Sequence, residues 1–116
     1  MITSYNFGRM TIGSEAFTSD LIIFPDKHIQ TNWYRKAGHM LERSDLETLL
    51  PEKPELIIVG TGANGRMSLA PGLLDDLSAV GVEIQAMATG KAVSLFNKLI
   101  KEQPDKKISA CFHLTC

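Results

Sequence analysis

Apolar segments that alternate with helical stripes in the second half of the chain constrain its fold most. Three segments alternate with two stripes: segments 56–59, 82–87 and 108–115, and stripes that follow Pro71 and begin at Thr89. The first segment is continuously apolar, which is typical of a strand buried on both faces. The first stripe is predicted to face the core and comprises Leu73, Leu74, Leu77 and Val80. This succession predicts right-handed crossovers and a mostly parallel sheet with helices on its faces.

The first 40 or so residues have a different pattern. Short apolar and aromatic stretches are separated there by turn-forming residues: Gly8, Gly13, Pro25 and Gly38. We expect antiparallel strands that either extend the central sheet or form a second layer. The predicted fold class is α/β with an antiparallel N-terminal addition, in a single domain over residues 1–116.

Composition and charge exclude several classes of protein. The hydrophobic fraction of 44% and the charged fraction of 22% are those of a globular domain. A net charge of -1 gives no attraction to phosphate backbones, so we expect no nucleic-acid partner. No apolar run approaches the ~20 residues of a membrane span. Residues 1–5 contain no basic region followed by an apolar core, so we expect no secretory signal. We therefore expect a cytoplasmic protein whose two cysteines, Cys111 and Cys116, are thiols.

The segment Gly60–Gly65 reads G-x-G-x-x-G directly after the buried strand. In a dinucleotide-binding fold, a helix opens at once and an acidic residue ends the next strand. Here five residues, 66–70, separate the last glycine from Pro71, where the helix is predicted to begin. The acidic residue at the expected distance, Glu83, begins the next strand instead of ending it. Two interpretations remain open: a glycine-rich turn, or an anion site formed by free loop N–H groups.

Thr89 is predicted to be the N-cap of the helix that begins there. The start Thr89-Gly90-Lys91 favours the anion interpretation. A cation in the first turn opposes the helix dipole, so Lys91 would be a natural partner for a bound anion. Loops at the carboxyl ends of adjacent parallel strands lie side by side, so this helix start and the glycine loop are predicted to share a crevice. The candidate ligand-binding residues are Gly60, Thr61, Gly62, Arg66, Thr89 and Lys91. The alternative is that Lys91 is simply solvated.

The three histidines have no metal-ligand spacing among themselves or with the cysteines. We therefore predict no metal site and no cofactor. Strand alternation places Cys111 and His113 on one face of the last strand, and His39 follows the polar, aromatic segment 33–36. His39 and His113 are weak catalytic candidates, since histidine carries protons near pH 7. No third group that would orient them is recognisable, so enzymatic activity is not favoured.

Several short pieces in one order resemble a known family. They are Thr31-Asn32-Trp33, Gly38-His39, Ile58-Val59-Gly60-Thr61-Gly62, Ala88-Thr89, Ala92-Val93, Phe96-Asn97 with Leu99, and the tail Ala110-Cys111-Phe112-His113-Leu114-Thr115-Cys116. Together they resemble the adipogenesis-associated domain family, which includes a mitochondrial complex I assembly factor and many bacterial and archaeal members. The resemblance implies a three-layer α/β architecture with a central mixed sheet. It also implies assembly or regulatory roles through protein partners, with no established reaction or cofactor.

The family pattern singles out a small set of positions in this chain: Trp33, His39, Gly60, Gly62, Thr89, Asn97 and His113. Lys91 departs from the pattern, because family members often carry an acidic residue or alanine there. The anion argument is therefore not implied by the resemblance.

The function expected from these observations is that of a non-enzymatic partner-binding protein with an assembly or regulatory role. Trp33, Arg35 and Asn97 are its candidate partner-binding or pocket residues. The alternative is a module for a small anion or nucleotide-derived ligand at the loops 60–65 and 89–91, with or without weak enzymatic chemistry. A monomer and a homodimer are both compatible with the sequence.

Overall fold

The computed structural model describes all 116 residues, which form ten strands, two α-helices and two 3₁₀ helices. The strands are β1 (Ile2–Asn6), β2 (Arg9–Ile12), β3 (Glu15–Phe17), β4 (Leu21–Ile23), β5 (Ile29–Gln30), β6 (Met40–Leu41), β7 (Leu56–Thr61), β8 (Ser68–Leu69), β9 (Glu83–Met87) and β10 (Ile108–His113). The helices are α1 (Leu73–Ser78) and α2 (Thr89–Glu102), with 3₁₀ helices at Arg43–Leu46 and Leu50–Glu52. None of the helices is both long and apolar enough to cross a membrane.

A five-stranded mixed sheet in the order β5-β4-β10-β7-β9 forms the centre of the fold. β10 and β9 both run parallel to β7, whereas β4 is antiparallel to β10 and β5 is antiparallel to β4. The predicted α/β class with a central mixed sheet is confirmed. β4 and β5 from the N-terminal part extend it as antiparallel strands, which is one of the two arrangements expected from the sequence. The remaining N-terminal strands, β1 to β3, form a separate antiparallel sheet.

The central sheet separates two hydrophobic cores, which gives the fold three layers. One core lies against α2 and the sheet β1-β2-β3, and the other lies against α1, the 3₁₀ helices and the short pair β6-β8. Side chains of β10 alternate between the cores: Phe112 enters the first, and Cys111 enters the second. This alternation confirms the predicted faces of the last strand.

The start of α2 differs from the prediction. Ala88 is the N-cap residue, and Thr89 is already the first residue of the helix. The Thr89 hydroxyl does not cap its own helix, because it donates to the His113 carbonyl at 2.7 Å and accepts from the Gly62 N–H at 2.9 Å. The buried Thr89 side chain thus joins the ends of β7 and β10 to the start of α2.

The two thiols lie in contrasting environments and are free, as predicted. Burial of Cys111 raises the pKa of its thiol far above the usual range, and nearby Arg35 lowers it only in part. Cys116 is partly exposed.

The two thiols should therefore react at different rates with an aromatic disulfide reagent. Since the thiolate is the reactive form, Cys116 should be modified rapidly and Cys111 only after denaturation. Cys116→Ser should remove the rapid phase, and two rapid phases in the native wild-type protein would contradict this placement.

Candidate functional site

A buried polar cluster lies where β10 ends. Asp20 immediately precedes β4, and the pairing of Leu21 with Phe112 places it beside His113 at the end of the antiparallel neighbour. One carboxylate oxygen, Oδ2, accepts from Arg35 Nη2 at 2.8 Å and lies 2.8 Å from His113 Nδ1. The other, Oδ1, accepts from the Leu114 N–H at 2.8 Å. One carboxylate therefore ties the start of β4 to Arg35 and to the end of β10.

The environment of Asp20 keeps its carboxyl group ionised. Burial alone would raise the pKa of Asp20, but the hydrogen bonds from the Leu114 N–H, His113 and Arg35 more than offset it. The net effect holds the pKa below its ordinary value. At neutral pH the carboxylate is charged and balances the buried guanidinium of Arg35.

Trp33 and Arg35 form the wall of this cluster. The Arg35 guanidinium carbon lies 4.8 Å from the centre of the Trp33 ring, within range for a cation–π contact, and Nε donates to the Gly38 carbonyl at 3.2 Å. The Trp33 indole N–H donates to the Asp45 carbonyl at 2.9 Å. Both side chains, predicted from sequence to bind a partner, are buried and fix the segment that leads to His39.

His39, His113 and Cys116 meet beside this cluster. The rings of His39 and His113 lie 6.0 Å apart, and one side-chain ligand atom from each of the three residues lies within 4.8 Å of the other two. His113 Nε2 is buried without a hydrogen-bond partner, as is Arg35 Nη1. Spacing along the chain could not indicate this cluster, because His39 comes from the loop before β6 and the other two from the C-terminal segment. The one available signal was the presence of His113 and Cys116 near the end of a single buried strand.

The glycine loop and the start of α2 lie side by side, as their positions at strand ends predict. Thr89 N–H donates to the Gly62 carbonyl at 2.9 Å, and a Cβ at Gly60 would lie 2.8 Å from the Thr89 hydroxyl oxygen. The C-terminal main chain fills the space: Ala63 N–H donates to the Thr115 carbonyl at 3.1 Å.

Several donors that an anion would need are already in use. Gly62 N–H donates to the Thr89 hydroxyl, and Arg66 N–H donates to the Cys116 main-chain oxygen at 3.3 Å. Thr61 is buried, whereas the side chains of Arg66 and Lys91 are exposed. An anion site at these loops remains a prediction from sequence.

Asn97, the third predicted partner-binding residue, holds α2 to β1. Its Nδ2 donates to the Ile2 carbonyl at 2.8 Å, and its Oδ1 accepts from the Ile2 N–H at 3.1 Å. Both main-chain groups of one residue are thereby satisfied by one amide. This contact gives Asn97 a structural role within the fold.

An open groove lies at the start of β9, at the end of the central sheet opposite the glycine loop. The cavity has a volume of about 580 Å³ and adjoins a second one of about 420 Å³, with which it shares Glu55, Gly81 and Val82. Leu74 is 50% exposed and lines the first cavity, and Val80 is 59% exposed and lines the second. Both were predicted to face the core, but the short helix α1 buries only Leu73 and Leu77 of that stripe.

Solved structures of similar fold come from several organisms. A conserved hypothetical protein of Pyrococcus horikoshii is 29% identical, with a TM-score of 0.82 over 100% of this chain and 99% of its own. A Bartonella henselae protein described as an outer membrane protein is 24% identical, with a TM-score of 0.80 over 99% of this chain and 94% of its own. A Bordetella pertussis protein described as a Mth938-like domain is 19% identical, with a TM-score of 0.67 over 97% of this chain and 84% of its own. The last two likenesses show the fold alone.

A family model matches nearly the whole sequence. It covers residues 2–113 and is described as a protein of unknown function, DUF498/DUF598. The matched range includes all three layers of the fold and both the buried cluster and the β9 groove. The chain therefore belongs to the DUF498/DUF598 family.

Proposed function

We propose that this protein binds a protein partner in an assembly or regulatory role and does not act as an enzyme. The observation that carries the proposal is the groove at the start of β9, the edge strand of the central sheet, with Leu74 and Val80 exposed beside it. Exposed apolar side chains grouped around a groove are typical of interaction sites. The resemblance of the sequence to a family that includes an assembly factor supports this role. The location we propose is the cytoplasm, where the two free thiols would stay reduced.

The main chain of β9 can pair with a further strand. β9 is the last strand of the central sheet, and it pairs only with β7. Glu83 N–H donates to the Glu55 carbonyl, on the β7 side. Since successive residues of a strand direct their main-chain groups to opposite edges, those of Ile84 and Ala86 point to the free edge. An extended peptide could therefore add to the sheet there.

The charge of the first cavity favours a basic residue in the bound segment. This cavity is lined by the acidic residues Glu55, Asp75 and Glu83 and by one basic residue, Lys106, whereas the adjoining cavity adds two basic residues, Arg43 and Lys53. The occupant we propose is an extended segment of another protein that carries apolar residues and at least one lysine or arginine. Main-chain pairing would supply affinity, and Leu74, Val80 and the acidic residues would supply selectivity.

Site-specific photo-crosslinking in cells tests this proposal. A photoreactive amino acid at Leu74 should give an adduct with another protein, whereas the same amino acid at Phe7 should not. Phe7 is the matched control because it is 64% exposed and lies between β1 and β2, on a different sheet. Ala86→Pro removes one outward N–H at an edge position and should reduce the adduct at least about tenfold, which corresponds to about 1.4 kcal/mol.

Three results would contradict the proposal. The first is equal adducts from positions 74 and 7, and the second is an adduct that persists at full yield in Ala86→Pro. The third is an adduct with the mass of two copies of this chain, which would make the groove a homodimer interface. The melting temperature of each variant must match the wild-type value, so that a lost adduct reports binding and not unfolding.

A further inference from the structure

We propose that His39, His113 and Cys116 form a binding site for a zinc-like transition-metal ion. This inference goes beyond the proposed partner binding and does not depend on it. The three residues place one ligand atom each within 4.8 Å of one another. Two imidazole nitrogens and one thiolate form a donor set that Zn²⁺ prefers, with a fourth position left for water or another ligand.

Asp20 sets the tautomer of His113. Arg35 Nη2 and His113 Nδ1 both lie 2.8 Å from Asp20 Oδ2 and 3.1 Å from each other. An unprotonated Nδ1 would place a lone pair against the carboxylate oxygen, so the fitting arrangement has Nδ1–H donating to Asp20. A neutral His113 then carries its lone pair on Nε2.

The free lone pair is the second, independent indication of a ligand. His113 Nε2 is buried and has no hydrogen-bond partner, and the His113 side chain is only 7% exposed. Buried polar atoms are rarely left unpaired in folded proteins. A carboxylate that holds the far nitrogen of an imidazole is also the usual outer shell of a metal-bound histidine.

The main chain around all three ligands is anchored. His113 ends β10, the His39 carbonyl accepts from Ser68 N–H at 2.9 Å, and the Cys116 main-chain oxygen accepts from Arg66 N–H. Tetrahedral zinc requires ligand atoms about 3.3–3.6 Å apart, given its usual bond lengths. Ligand atoms that lie up to 4.8 Å apart must therefore approach each other by up to about 1.2–1.5 Å. His39 is exposed and Cys116 is partly exposed, so both have room to rotate toward the buried His113.

The positive charge of Arg35 does not prevent cation binding. Asp20 Oδ2 contacts both Arg35 Nη2 and His113 Nδ1, and the carboxylate neutralises the guanidinium. The unpaired Arg35 Nη1 gives the competing possibility, a small anion held by Arg35 and His113. The two possibilities differ in their dependence on Cys116, since an anion gains nothing from a thiolate.

Titration of the untagged, metal-free protein with Zn²⁺ against a chromophoric chelator tests the site. We expect one Zn²⁺ per chain, and Co²⁺ should give a thiolate-to-cobalt charge-transfer band. His39→Ala and Cys116→Ser should each weaken Zn²⁺ binding by more than the 10–100-fold typical of losing an outer-shell partner. His28→Ala is the matched control, because His28 is exposed and stacks on Phe24 away from the cluster.

Protection of Cys116 from a thiol reagent by Zn²⁺ provides a readout that does not depend on the chelator. The proposal is overturned if His39→Ala and Cys116→Ser bind Zn²⁺ like the wild type, or if cobalt gives no charge-transfer band. It is also overturned if the wild type ignores Zn²⁺ but binds inorganic phosphate, since the unpaired atoms would then belong to an anion site. His39 and Cys116 are not buried core residues, so both variants should fold.

Discussion

Replacing Asp20 with alanine is expected to lower the free energy of unfolding by about 3–5 kcal/mol, the usual cost of breaking a buried ion pair. Asp20 and Arg35 have side chains that are only 15% and 5% exposed, and the carboxylate also accepts from Leu114 N–H and His113. Its loss leaves a buried guanidinium unpaired, together with two further donors. Urea unfolding of the wild type and the variant measures the difference.

A double-mutant cycle separates the ion pair from general damage to the core. Asp20→Ala combined with Arg35→Met removes both charges, so it should cost less than the sum of the two single changes. Asp26→Ala is the control, since Asp26 is an exposed carboxylate beside a histidine and should have little effect. Additive single-variant effects would contradict the claim that Asp20 neutralises Arg35.

Gly62→Ala is expected to destabilise the protein by about 2–5 kcal/mol through strain and overpacking. Gly62 has a φ of +108°, which L residues rarely adopt, and a Cβ there would lie 2.5 Å from the Thr115 carbonyl oxygen. The loop and the tail would have to separate, and Ala63 N–H would lose its acceptor. Chemical unfolding should show the loss, and Cys116 should react faster with a thiol reagent.

Gly90→Ala is the matched control for that change. Gly90 lies in the first turn of α2, and a Cβ there would meet nothing within 4 Å. Alanine should leave the free energy of unfolding unchanged or raise it by up to about 1 kcal/mol, because it favours the helix. Equal effects at positions 62 and 90 would show that the tail does not pack against the glycine loop as described.

Local sequence patterns predicted the strands and helices of the sheet because the burial of a face directly determines which of its positions are apolar. The apolar run at Leu56–Val59 must be buried on both faces, and alternation along β10 decides which side chains enter each core. The pattern left open which N-terminal strands would extend the central sheet, as β4 and β5 do, and which would form a second layer. That pairing depends on contacts between distant segments, such as Leu21 with Phe112, and these leave no local signal.

The candidate site was predicted only in part for the same reason. Thr89 and the glycine loop both follow strands of the sheet, and from this their proximity was correctly predicted. The sequence could not show that the tail occupies the loop's N–H groups, because hydrogen bonds between main-chain atoms are independent of residue type. Nor could spacing join Asp20 to His113, which meet through antiparallel pairing. The exposure of Leu74 was missed because helix α1 is too short to bury the whole stripe.

Nitrogen NMR of the histidine side chains tests most directly whether Asp20 holds His113 with a free Nε2 lone pair. In the metal-free protein, His113 should carry its proton on Nδ1, with Nε2 unprotonated, and Zn²⁺ should shift the Nε2 resonance. A proton on Nε2 with a bare Nδ1 would contradict this arrangement. Arg35 would then donate to Nδ1, and no lone pair would remain to join His39 and Cys116 around a metal ion.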